Sequence, residues 1–202
     1  MGRALALLVV LAPAAASADT FKLFGEIHAG GMYGKGIAGA QQNASFFENS
    51  PHGMYGAEIG AEFLFLDAWI QHHQYTDGSR LTTWTQFGLG IHNTMDLGSS
   101  EEQKAGKGNY FEIGGGAWFG IGTGQQVMPP LDNAQVSDKG FLLEGRAGFG
   151  IHFSRELDLG LQVPVSYGFF FKNGVAANDV SNQYRGWQAE LLVALRGNLH
   201  LF

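Results

Sequence analysis

Two groups of residues in this sequence could do chemistry. The first is a set of carboxylates, Glu26, Glu58, Glu62, Glu112, Glu144 and Glu190, each on the polar side of a stretch that alternates apolar with small or polar residues, with Arg146, His28 and Lys22 on the same kind of position. Carboxylates gathered into one interior cannot all stay ionised and unpaired. They must share Arg146 and the other cations, bind water, or hold protons. The constellation therefore reads either as a salt-bridged packing interior or as an acidic constriction that favours small cations. The second group is His152-x-Ser154. Residues two apart share one face of a strand, so the imidazole could serve as base for the hydroxyl if a carboxylate oriented the ring. Downstream, where such a carboxylate is expected, stands Ser166.

Other chemistry is excluded more directly. His72 and His73 are adjacent, so on a strand they point to opposite faces and cannot chelate one ion together; both are expected at a rim. The glycine-rich GIGTGQQ near residue 120 is followed by no Lys-Ser/Thr, so it is no phosphate loop. With no cysteine there is no disulfide, no thiolate metal site and no lipid-modified cysteine. No metal and no cofactor is expected. A formal charge of −6, without a basic stripe, disfavours nucleic acid as a partner.

The elements that carry these residues are strands. From Phe141 to Phe171 the sequence reads as two long strands with a tight turn at Ser154-Arg155-Glu156: Leu157, Leu159, Leu161, Val163, Val165, Tyr167, Phe169 and Phe171 alternate with small or polar residues. Strict period-two alternation marks one apolar and one polar face. Its length exceeds the usual soluble strand of about 5–6 residues and suits a membrane strand of about 9–11. Six further strands follow the same pattern: 21–33, 54–65, 68–75 with poor alternation, 81–92, 110–122 and 185–195. A turn is expected near Leu66-Asp67, and Thr76 to Ser79 is another. The predicted fold is all-β, an eight-stranded antiparallel up-and-down transmembrane β-barrel over residues 19–202. Glycine at 31 of 202 residues fits that fold, because it lets strands curve and pack closely.

An even strand count puts both termini on one side. Long loops at 35–52, 123–140 and 172–184 then lie outside, and the charged stretch 93–109 falls among the short turns despite its length. That stretch is either an atypical turn or a sign that the count around 66–80 is off by two. Residues 1–18, Arg3 with an apolar run and Ala16-Ser17-Ala18, read as a cleaved secretory signal.

These amphipathic strands, the signal, the aromatic clusters at Tyr167 to Phe171 and Trp118-Phe119, and the C-terminal Phe202 together resemble the small outer-membrane β-barrel proteins of Gram-negative bacteria, the OmpA/OmpX-like group. The resemblance implies outer-membrane location, contact with outer-membrane lipid and lipopolysaccharide, a monomer, and recognition of the last strand, ending in Phe202, by barrel-assembly machinery. Phe202 has the parity opposite to Trp187, Leu191, Val193 and Leu195, so a bulge or turn is expected at Arg196-Gly197-Asn198. His152-x-Ser154 is similar to the histidine and serine of the outer-membrane lipid A deacylases, which gives an acyl hydrolase as one alternative function. A small cation-favouring channel is another, and a soluble barrel of lipocalin type a third. The expected function is non-enzymatic: a barrel with a polar, charge-filled lumen, an aromatic girdle of Trp118, Tyr167, Phe169, Phe171 and Trp187, and long outer loops with a structural or surface role.

Overall fold

The computed structural model describes residues 21–39, 51–76, 80–126, 136–172 and 183–201. The expected signal at 1–18, the central parts of the three long loops, and Phe202 lie outside them. Eight strands follow in chain order: β1 (Phe21–Gly39), β2 (Pro51–Phe63), β3 (Leu66–Thr76), β4 (Arg80–Asp96), β5 (Gly108–Gln126), β6 (Val136–Ser154), β7 (Leu157–Lys172) and β8 (Gln183–His200). Each pairs antiparallel with its sequence neighbours, and β1 pairs with β8 to close a barrel. In hydrocarbon an open edge would leave a row of peptide groups without partners, each costing several kcal/mol, so closure is obligatory.

Alternation sorts the side chains as expected. Ile27, Ile59 and Leu89 point outward and are 61%, 63% and 59% exposed, whereas Trp118, Leu142, Phe170 and Leu192 at even positions are buried inside. The strands run longer than periodicity alone indicated, because β-pairing continues past the last apolar residue. β1, β5 and β6 each have 19 residues, against about 9–11 needed to cross a bilayer.

Two local expectations change, and of the two alternatives for 93–109 one holds. The turn after β2 is Leu64-Phe65, with Leu64 at φ 59°, and not Leu66-Asp67. Leu66 and Asp67 already pair with Phe63 and Glu62 across the hairpin. β8 runs unbroken through Arg196-Gly197-Asn198. Gly197 is held in the ladder on both sides, opposite Gly25 and Leu157, which leaves no place for a bulge. The 93–109 stretch is an atypical turn, and the count of eight stands. β4 continues to Asp96, one helical turn, α1 (Ser100–Lys104), follows, and β5 starts at Gly108. Ser99 caps α1: its Oγ accepts from the Glu102 N–H at 3.3 Å, and its own N–H donates to Glu102 Oε2 at 2.7 Å. These bonds hold the Glu102 carboxyl below its ordinary range. Gly106, at φ +63°, then turns the chain back in a conformation that L side chains disfavour.

Lumen space is shared between rings and glycines. The Trp118 ring lies over Gly88, Trp84 over Gly120, Phe170 over Gly140 and Gly168, and Tyr110 beside Gly150 and Gly160. A Cβ at Gly88 would fall 2.5 Å from Trp118 Cε3. Gly88→Val should therefore destabilise the barrel by about 1–3 kcal/mol through overpacking, read as a lower urea midpoint in detergent micelles. At Gly25 a Cβ meets nothing within 4 Å, so Gly25→Ala should leave that midpoint unchanged.

Candidate functional site in the barrel lumen

The interior charges are organised around a residue absent from the sequence-based set. Arg196 on β8 is buried, and its Nε and Nη2 donate to Glu26 Oε2 on β1 at 2.9 and 2.8 Å, while Nη1 donates to Glu112 Oε2 on β5 at 3.1 Å. Glu26 also accepts from Gln162 Nε2 at 3.0 Å and lies 3.1 Å from His28 Nδ1. Arg146 on β6 forms a second centre, with Nη2 3.2 Å from Glu144 Oε1 and 3.5 Å from Glu58 Oε2. Lys22 Nζ pairs with Glu62 Oε2 at 2.6 Å. Glu190 accepts from Gln188 Nε2 at 3.0 Å. Every carboxylate expected in the lumen is thus on the inward face. Apolar alternation alone ends the last strand at Leu195; carrying the even parity of Gln188 and Glu190 onward points Arg196 into the lumen as well.

Apolar packing fills the part of the lumen nearer the long-loop end. Met32, Met54, Trp84, Tyr75, Leu142 and Phe170 are buried in one cluster that also holds Trp69, Trp118 and Leu192. Trp69 and Trp118 meet edge to face with ring centroids 4.4 Å apart, and Trp84 and Phe170 are 5.5 Å apart. This corrects two expectations. Trp118 is fully buried, so it is no part of an outer girdle; even parity on β5 turns it inward, and Gly88 across the ladder leaves room for the ring. His73 is an interior residue, not a rim residue: it is buried, 2.7 Å from the Tyr75 hydroxyl through Nδ1, and edge-on to His28 at 4.8 Å. His72 faces out, with Nδ1 2.7 Å from Thr85 Oγ1. Ion pairs accordingly concentrate toward the turn end of the lumen and apolar packing toward the loop end, where Glu190, opposite Met32, is buried as well. A cavity beside Phe24, Glu62, Asp67, His92, Arg146 and Arg196 leaves about 20 Å³ for the centre of a water-sized sphere, room for about one water.

His152 and Ser154 are not a catalytic pair in this geometry. His152 Nδ1 is hydrogen-bonded to the Asp158 carboxylate, Nε2 lies 3.2 Å from Asp96 Oδ1, and the ring stacks on Tyr110 at 4.3 Å. Ser154 Oγ instead accepts the Glu156 N–H at 3.1 Å within the turn. The carboxylate sought near position 166 is Asp158, which faces His152 across the hairpin. With both ring nitrogens on carboxylates, neither is directed at the serine.

Outside, Tyr167, Phe169, Phe171 and Trp187 take outward parity near the loop end. Tyr33 packs on Trp187 at 5.7 Å and Tyr167 on Phe169 at 5.2 Å. Beyond these rings the outward positions turn polar, with Lys35, Lys139 and Arg185 exposed. Arg196→Met would strand Glu26 and Glu112 as uncompensated buried carboxylates and should cost about 3–5 kcal/mol. Lys22→Met, with a partly exposed partner, should cost about 1 kcal/mol or less; parallel urea titrations of the two variants compare them.

No protein-family model and no curated protein matches the sequence. Among solved structures, the chain is similar to Neisserial surface protein A, with 11% identity, a TM-score of 0.52, and coverage of 88% of this chain and 96% of that one. The N-terminal β-barrel domain of Pseudomonas aeruginosa OprF aligns at 16% identity and a TM-score of 0.40, over 86% of this chain and 96% of the domain. A closed all-antiparallel barrel of eight strands, apolar outside and filled within, is the fold of the small outer-membrane β-barrels, and this chain adopts it.

Proposed function

We propose that this chain is a non-enzymatic barrel of the bacterial outer membrane whose sealed lumen makes it a rigid post for surface contacts made by its loops. The single observation that carries this reading is the filled interior: ion pairs centred on Arg196 and Arg146 at one end, and the cluster around Trp118, Trp84 and Phe170 at the other. A conducting lumen of acidic type needs water along Glu58, Glu112, Glu144 and Arg146. The cavity lined by Glu58, Glu144 and Arg146 has space for about one molecule.

The outward face supports the membrane placement and its orientation. Short turns at 64–65 and 155–156 belong on the periplasmic side, together with the longer β4–β5 connection that carries α1, and the connections after β1, β5 and β7 outside, as in bacterial barrels generally. Tyr167, Phe169, Phe171 and Trp187 then serve as an aromatic girdle at the outer interface. Along their own strands Lys35, Lys139 and Arg185 come one outward position beyond Tyr33, Phe141 and Trp187, level with Trp187, Phe171 and Phe169 of the neighbouring strands. Cations that reach out above an aromatic row suit the phosphates of lipopolysaccharide. Barrel-assembly machinery remains the partner proposed for the last strand.

The refolded protein should show a heat-modifiable band yet no steady conductance in a planar bilayer. Cation-selective current would replace this reading with the channel, and shortened lipid A in expressing cells, lost on His152→Ala, would replace it with the hydrolase. Replacing Lys35, Lys139 and Arg185 together by Gln should weaken association with lipopolysaccharide-containing vesicles several-fold without removing the band shift, as followed by co-sedimentation.

A further inference from the structure

We propose that Glu62, Asp67 and His92 form a binding site for a transition-metal dication of the zinc class at the turn end of the lumen. The three residues come from β2, β3 and β4, and one ligand atom from each lies within 4.8 Å of the others. His92 Nδ1 is 3.5 Å from Glu62 Oε2 and 4.0 Å from Asp67 Oδ2. An ion about 2.0–2.2 Å from nitrogen and oxygen ligands sets tetrahedral ligand edges of roughly 3.3–3.6 Å. A shift of Asp67 by about one ångström or less toward the other two would therefore bring the set to bonding geometry.

Two independent features direct a cation here. Asp67 has a side chain only 10% exposed, it lines the cavity, and its Oδ1 is buried with no hydrogen-bond partner. A buried carboxylate oxygen without a donor is costly, and a bound cation would remove that cost. Of the nearby monovalent cations, Lys22 pairs with Glu62 of the set itself and Arg196 with Glu26 and Glu112, so the Asp67 oxygen is left to neither. The other feature is the far side of the imidazole. His92 Nε2 lies 3.2 Å from Glu112 Oε2, so Nε2–H donated to that carboxylate leaves Nδ1 as the lone-pair nitrogen toward Glu62 and Asp67. Metal-bound histidines are held by such carboxylates, which fix the tautomer and raise ligand basicity. The adjoining cavity has space for a water as the fourth ligand. One imidazole with two carboxylates suits Zn²⁺ and its neighbours better than Ca²⁺ or Mg²⁺, which take oxygen ligands. Sequence spacing gave no sign of this set, because its members are brought together only by the pairing of three strands.

The test is calorimetric titration of ZnCl₂ into the chelator-treated, tag-free full chain refolded in detergent, with folding verified by the heat-modifiable band. The parent should take up one Zn²⁺ per chain, and excess Mg²⁺ should not displace it. Asp67→Asn, which is nearly isosteric, and His92→Ala should each weaken binding at least tenfold. Lys22→Ala removes a competing cation and no ligand, so it should bind at least as tightly as the parent. Absence of saturable uptake by the parent overturns the proposal. So does parent-like binding by Asp67→Asn and His92→Ala, or a loss in Lys22→Ala equal to theirs.

Discussion

Everything in this molecule depends on the closure of β1 against β8. A membrane offers the backbone no hydrogen bonds, so the sheet must end on itself. Once eight strands are joined in a ring, the interior has a fixed and narrow width. The side chains that point inward then have to fill that width and satisfy one another, with only about one water's worth of free space in the cavity beside the charges.

Large rings and bare glycines solve the filling problem jointly. Trp118, Trp84, Tyr110 and Phe170 each extend into volume that a facing glycine leaves open. The glycine content is thus partly a packing property, matched ring by ring across the ladder. It also explains why the inward face need not be polar throughout. Near the loop end, rings and methionines pack as in a soluble core. Toward the turn end, carboxylates on β1, β2, β5 and β6 converge on Arg196 and Arg146. The two ends of the described lumen are filled by different physics, dispersion and burial in one, charge-assisted hydrogen bonds in the other.

Much of this could be read from periodicity alone. Parity on each strand assigned Glu26, Glu58, Glu112, Glu144 and Arg146 inward and Tyr167, Phe169 and Trp187 outward, because period two leaves a strand residue only two directions. What periodicity could not give was anything that depends on neighbours across the barrel. Trp118 was grouped with the interfacial aromatics by residue type, against its own parity, since the glycine that accommodates it is on another strand. Arg196 lies just past the point where the apolar alternation of β8 weakens, and it is the pairing of Gly197 with Gly25 and Leu157 that carries the strand on. The helical turn α1 was hidden in a charged, glycine-rich stretch, where the Ser99-x-x-Glu102 capping pair was its one local signal. Asp67 looked like a turn residue until the true turn proved to lie just before it.

Arg196 ties the seam to the filling. In the β1–β8 ladder it stands opposite Glu26, and it reaches Glu112 on β5 at the same time. A slip of β8 by one residue would reverse its faces, turn Arg196 outward and leave Glu26 and Glu112 as buried carboxylates without their cation. A slip by two keeps the parity but moves the guanidinium about 7 Å along the strand, which parts it from both carboxylates and leaves buried charges uncompensated. The apolar outer face cannot discriminate against that second slip, because Leu195, Val193 and Leu191 present much the same surface to lipid. Register at the closing seam is therefore specified from inside the barrel, by one buried cation that two carboxylates on different strands hold in place.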